Sequence, residues 1–206
     1  MTIKFYMTPG SCTTGIHILL EELDLVFEVH VVNLLNGDHQ AADFIAMNPK
    51  MSIPVLVTNE GKVITEFQAI AYWLAKSYPA AGLLSDNLDD EVRIIEMMDY
   101  VVGNLHMQGF ARIFTTDKFT PNQSDYEWVK QQGREIIDHG LSVINASLQG
   151  YEYVVNQFSI ADAALFYVEF WADKIDIPLP ENCLEHYQRM CARPVVRQVL
   201  LEEGYR

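Results

Sequence analysis

The stretch FYMTPGSCTTGIHILLEELDL, residues 5–25, decides the fold. An apolar strand runs into Pro9 and Gly10, then into the polar cluster Ser11, Cys12, Thr13 and Thr14, and Ile16, Leu19, Leu20 and Leu23 then recur at helical spacing. Phe27, Val29 and Val31 alternate with Glu28 and His30, which reads as a second strand. Strand, helix and strand at these lengths make a βαβ unit with a parallel pair. The spacing therefore places Cys12 where a helix begins.

Working outward, a short helical segment near Asp43 to Met47 precedes NPKMSIPVLV. A strand follows Pro54, Asn59-Glu60-Gly61 makes a turn, and Lys62 to Thr65 returns as the second arm of a hairpin. A helix around Ile70 and Leu74 ends before Pro79. The order βαβ then ββα is thioredoxin-like. From about Leu88 the pattern is helical throughout, with Val92, Ile95, Val102 and Leu105 on one face and Ile137, Leu141, Ile144 and Leu148 on another. The expected fold class is α/β plus all-α, with an N-terminal domain over residues 1–79, a linker, and a helical domain over residues 88–206.

Composition narrows the function. The 206 residues carry 28 acidic and 14 basic side chains, a net charge of −14 that repels phosphate backbones and anionic lipid. Nucleic acid and membrane are not expected partners. No apolar run is long enough for a membrane span, and three cysteines, at 12, 183 and 191, form no disulfide framework and no close-spaced ligand cluster. A reducing cytoplasm and a metal-free site are the expectations.

Three places could hold a ligand. At Cys12, exposed amide groups and the positive end of the helix dipole make a thiol easier to ionise and can hold a ligand's thiolate. The competing reading is that Ser11 or Thr13 caps the helix while Cys12 packs as a small apolar group. In SIPVL, Ile53-Pro54 is a candidate cis peptide that turns the Ile53 backbone toward a ligand, or an ordinary edge-strand proline. In TEFQAIAYWL, Glu66 stands at a helix start, where it receives a ligand ammonium or simply complements the dipole. Farther on, Ser159 and Asp162 in FSIAD have the spacing of a capping box, a folding device.

In this order the motifs resemble the cytosolic glutathione transferases, specifically the bacterial beta class. YMTPGSCTTGIHI resembles the class signature, with Cys12 on the class cysteine and His17 on the helix histidine. NPKMSIPVL resembles the cis-proline segment, TEFQAIAYWLAKSYP the γ-glutamyl-binding helix, and QFSIADAALF the capping motif of the C-terminal domain. The resemblance implies glutathione as co-substrate, a hydrophobic electrophile as second substrate, a detoxification role and a homodimer. It gives Cys12 and His106 catalytic roles near the sulfur. It assigns Tyr6 and Ser11 to the pocket, Ile53 and Pro54 to the cysteinyl backbone, Glu66 and the Phe67 amide to the γ-glutamyl end, and Asp99 to the same end from the other subunit. Whether Cys12 is the nucleophile or a thiolate stabiliser stays open.

The sequence also departs from the class. Phe67 stands where serine or glycine is usual, Met107 follows His106 where a basic residue is common, and residues 33 to 43 supply no lysine or arginine for a glycyl carboxylate, leaving Lys50 as the nearest candidate. These departures keep a second reading in play, a binding or scaffold protein of the same fold with little catalysis. Phe110, Phe114, Phe170 and Trp171 are candidates for an acceptor wall or for core.

Overall fold

The computed structural model describes residues 2–205. It resolves into two compact units, one running to Leu84 and resuming at Met190, the other spanning Ser85–Arg189.

The first unit is built on a four-stranded sheet in the order β2-β1-β3-β4, with β1 Ile3–Met7, β2 Phe27–Val31, β3 Val55–Val57 and β4 Val63–Thr65. β1 pairs parallel with β2, from Ile3 opposite Phe27 to Met7 opposite Val31, and antiparallel with β3, which pairs antiparallel with β4. The alternation that marks β2 does not describe its burial: Val29 and Val31 are exposed because β2 is an edge strand, whereas Ile3, Phe5 and Met7 of central β1 are buried. Helix α1, Thr13–Glu22, puts Ile16, Ile18, Leu19 and Leu20 out of solvent and packs against α3, Phe67–Ser77, and α9, Pro194–Glu202. A short α2, Ala42–Met47, sets Phe44 into a cluster with Val32 and Val55, joined by Tyr6, Met47 and Ile53.

The division of the chain differs from the expected 1–79 and 88–206 at its far end. Residues from Met190 onward pack with the sheet-containing unit. The apolar pattern of α9 marks a buried face without naming its partner. That partner is α1, and Val196 and Val199 are buried in the contact. Arg193 adds two charged hydrogen bonds to Glu22 Oε1, at 2.9 and 2.7 Å.

In the second unit, α4, Leu88–Tyr100, is capped by Asn87, whose side chain accepts from the amides of Asp89 and Asp90. It continues into a π-helical stretch, Val101–Phe110, and then α5, Ala111–Phe114. The long α6, Tyr126–Ser147, lies so close to the π-helical stretch that a β-carbon at Gly133 would stand 2.8 Å from Gly109 O, a separation only glycine permits. Helix α7, Ile160–Lys174, is buried from Ile160 to Ala172 and starts at a closed capping box of Ser159 and Asp162, as the FSIAD spacing predicts. Helix α8, Glu181–Ala192, follows. Behind the cap, His186 of α8 lies between two buried carboxylates, 2.7 Å from Glu169 and 3.2 Å from Asp162.

Candidate active site

The chain leaves β1 through Thr8 and Pro9 and turns at Gly10, whose φ of +72° suits glycine. A β-carbon at Gly10 would also collide with the Tyr205 ring. The turn is knotted by hydroxyls: Thr13 Oγ1 donates to Thr8 O at 2.9 Å and accepts from Thr8 N at 3.2 Å, while Ser11 Oγ and Thr13 Oγ1 share a hydrogen bond at 2.7 Å. From the far end of the chain, Glu203 Oε2 accepts from Gly10 N and from Thr14 Oγ1, each at 2.7 Å, and Glu203 Oε1 lies 2.9 Å from His17 Nδ1. Both Thr13 and Glu203 belong to the site's framework; the S-x-T spacing at 11–13 hints at the first, and nothing local in the sequence signals the second.

Cys12 occupies the cap position of α1 and is 7% exposed. Here the structure corrects two expectations. Burial pushes the thiol up to about 12; the Cys12 amide and Ser11 favour the thiolate, but burial, aided by the Glu66 charge, outweighs them. The amides of the helix start are also partly taken, since Thr13 N donates to Ser11 Oγ at 3.1 Å and Thr14 N to Ser11 O at 3.1 Å. Ser11 therefore spends its hydroxyl on the turn.

Across from Cys12, the Ile53-Pro54 peptide is cis, and the Cys12 thiol reaches Ile53 O at 4.0 Å. Glu66 caps α3 at φ +76° and ψ +131°, a region L-residues rarely enter, so this backbone is strained. Its carboxylate is more than half exposed and holds Lys50 Nζ at 2.7 Å, while that ammonium also donates to Thr65 Oγ1 at 2.8 Å. Phe67 turns its ring into the core, which accounts for a bulky residue there. Tyr6 stacks on His30 at 4.6 Å and meets Phe44 edge-on, serving as a wall. The structure thus brings Tyr6, Ser11, Cys12, Ile53, Pro54, Glu66 and Phe67 into one unit.

Compared with known proteins, the chain is 34% identical over 211 residues to glutathione S-transferase GstA of Escherichia coli O157:H7, covering 98% of this chain and 99% of that protein. The chain belongs to the glutathione S-transferase family. Residues 10–77 match the family model described as the glutathione S-transferase N-terminal domain. Among solved structures, a glutathione S-transferase from Xylella fastidiosa aligns with a TM-score of 0.89 at 25% identity, over 99% of this chain and 100% of that one. A Sulfitobacter glutathione transferase homologue with bound glutathione gives the same TM-score and identity, over 98% of each chain.

Two further candidates of this transferase lie in the helical unit. His106 sits in the π-helical stretch with Nδ1 3.2 Å from the Tyr167 hydroxyl, its ring edge-on to Trp171 at 4.9 Å. Burial pulls it down to about 4, so its imidazole is neutral at pH 7. Phe110 and Phe114 stack at 5.8 Å and both meet Trp171, forming one aromatic group with His106. Asp99 is exposed on α4.

Proposed function

We propose that this glutathione transferase binds glutathione at the Cys12 turn and joins its sulfur to a hydrophobic electrophile. The observation that carries the reading is Glu66: an exposed carboxylate on strained backbone at the start of α3, within electrostatic reach of the cap of α1. An L-residue held there gives up stability for position, which fits a ligand ammonium as its partner. The γ-glutamyl ammonium takes the place of Lys50 on Glu66, and the peptide's cysteinyl part extends along Ile53 toward Cys12.

A thiol pushed up to about 12 keeps its proton at neutral pH, so Cys12 acts as a hydrogen-bond donor to the glutathione thiolate. The glutathione proton leaves to solvent, its sulfur forms a bond to the electrophilic carbon, and the leaving group departs with the bonding pair. This favours conjugation over exchange through a Cys12 mixed disulfide, which needs the Cys12 thiolate. His106 and Asp99 enter through the family resemblance, His106 as a neutral hydrogen-bonding ring and Asp99 as the second subunit's contribution in a homodimer. The proposed setting is a reducing cytoplasm, supported by free thiols at Cys12, Cys183 and Cys191, and the proposed role is detoxification. Among the described residues no helix is long and apolar enough to cross a membrane.

Titration calorimetry with reduced glutathione, paired with turnover of an aryl halide, a peroxide and a disulfide, tests this. Binding together with aryl halide turnover that survives in Cys12→Ala is the expected result. Absence of binding at millimolar glutathione rejects it in favour of a scaffold, and a Cys12→Ala variant that loses all turnover moves the chemistry to thiol exchange.

A further inference from the structure

Beyond the Cys12 turn, α1 presents a second polar set. His17 and Glu21 are four residues apart and share a helix face, and Glu202, the last residue of α9, meets them there. One ligand atom from each, an imidazole nitrogen and two carboxylate oxygens, lies within 4.8 Å of the others. The set runs from buried His17 through half-buried Glu21 to exposed Glu202, so it opens to water on one side.

Two features separate it from an ordinary acidic patch. The imidazole is already oriented, because Nδ1 lies 2.9 Å from Glu203 Oε1, and that side chain is 2% exposed with its other oxygen taken by Gly10 and Thr14. A carboxylate on one ring nitrogen selects the tautomer that offers the other nitrogen's lone pair, the arrangement that supports metal-bound histidines. The other nitrogen, Nε2 of a side chain 4% exposed, aims into the set and stands 3.4 Å from Glu202 Oε2. That is well beyond the roughly 2.7–2.9 Å of a charge-assisted N–H···O bond. Gln198 Nε2 meanwhile bridges the two outer carboxylates, at 3.3 Å to Glu21 and 2.9 Å to Glu202.

We propose that His17 Nε2, Glu21 and Glu202 form a binding site for a divalent transition-metal cation of the zinc class, with Glu203 orienting His17 from its opposite nitrogen. One nitrogen and two carboxylate oxygens, with water completing the shell, suit zinc and its neighbours, whereas magnesium and calcium favour all-oxygen sites. The metal-free expectation from sequence rested on cysteine spacing, and this set uses no cysteine. A bound ion ties α1 to α9 and steadies the Glu203 contacts to the Cys12 turn. The inference stands apart from the catalytic reading.

The test is calorimetric titration of the glutathione-free full chain with zinc chloride, a cobalt(II) titration followed by visible spectroscopy, and melting with and without zinc. Glu21→Gln, Glu202→Gln and the double variant are compared with the wild type; both positions reach solvent and the changes are near-isosteric, so melting without metal verifies folding. One equivalent of zinc, a higher melting temperature, and affinity about tenfold or more weaker in each single variant are expected. The inference is overturned if the wild type shows no binding below about 1 mM zinc. It is equally overturned if the double variant binds as the wild type does, which puts the ion elsewhere.

Discussion

His186 Nδ1 lies 2.7 Å from Glu169 Oε2, with 1% and 0% of the two side chains exposed. Burial opposes the imidazolium, but the charges and hydrogen bonds of Glu169 and Asp162 outweigh it and raise His186 to about 10. Glu169 is itself pushed up to about 6, by burial first, with His186 pulling the other way. A histidine raised in the folded state contributes stability that is complete below its unfolded value and is lost as pH rises through the folded one. Glu169, raised as well, loses its stabilising share as pH rises through about 6, so that change is over by pH 7. Urea unfolding between pH 7 and pH 10 will therefore show the helical unit losing stability, and His186→Asn will flatten that slope. A wild-type midpoint that stays level across this range contradicts the assignment. At pH 7, His186→Ala costs about 3–5 kcal/mol, because it leaves carboxylates unpaired in the interior.

Glu203 predicts a coupled loss. Its carboxylate serves the Gly10 amide, the Thr14 hydroxyl and His17, so Glu203→Ala strands buried donors at a cost of about 3 kcal/mol. Thermal melting will report that cost, and glutathione-dependent turnover will fall with it because the Cys12 turn loosens. Full turnover in a destabilised variant would separate the clamp from the chemistry.

Cys12 predicts slow chemistry of its own. With the thiol near 12, alkylation by iodoacetamide at pH 8 will run about a thousandfold slower than for an unperturbed thiol. Cys191, part-exposed, is the internal reference and will label first in peptide mapping by mass spectrometry. Labelling of Cys12 ahead of Cys191 would mean an ionised sulfur.

Glu66 predicts a trade between stability and binding. Glu66→Gly removes the strain of a non-glycine residue at φ +76° and will stabilise the first unit by about 1 kcal/mol. The same change deletes the proposed ammonium partner, so glutathione affinity will drop by about tenfold or more. Equilibrium denaturation and calorimetry on one preparation read both effects, and a glycine variant that binds as tightly as wild type removes Glu66 from the site.

The elements were legible wherever local pattern decides them. The strand-turn-helix at residues 3–22, the hairpin after Pro54 and the cap at Ser159 and Asp162 follow from spacing and from turn and cap residues, whereas Ile53-Pro54 reads from sequence as either a cis peptide or an edge-strand proline and is cis in the structure. What escaped depends on distant partners. The helix dipole at Cys12 argues for an easy thiolate, but the burial that reverses this comes from packing no local window contains. Ser11 looked available and proved occupied by Thr13. The pairings of His17 with Glu203 and of His186 with Glu169 join residues too far apart in sequence for periodicity to connect. The same cause hides the return of α9 to α1, since a buried face does not say what buries it.

Gly10 and Glu203 stand 193 residues apart, yet one hydrogen bond joins them. A growing polypeptide must therefore bring residue 203 out of the ribosome before the turn bearing Cys12 receives this anchor. Fragments that stop after the sheet and α3 will lack that anchor, which residue 203 carries to the Gly10 amide.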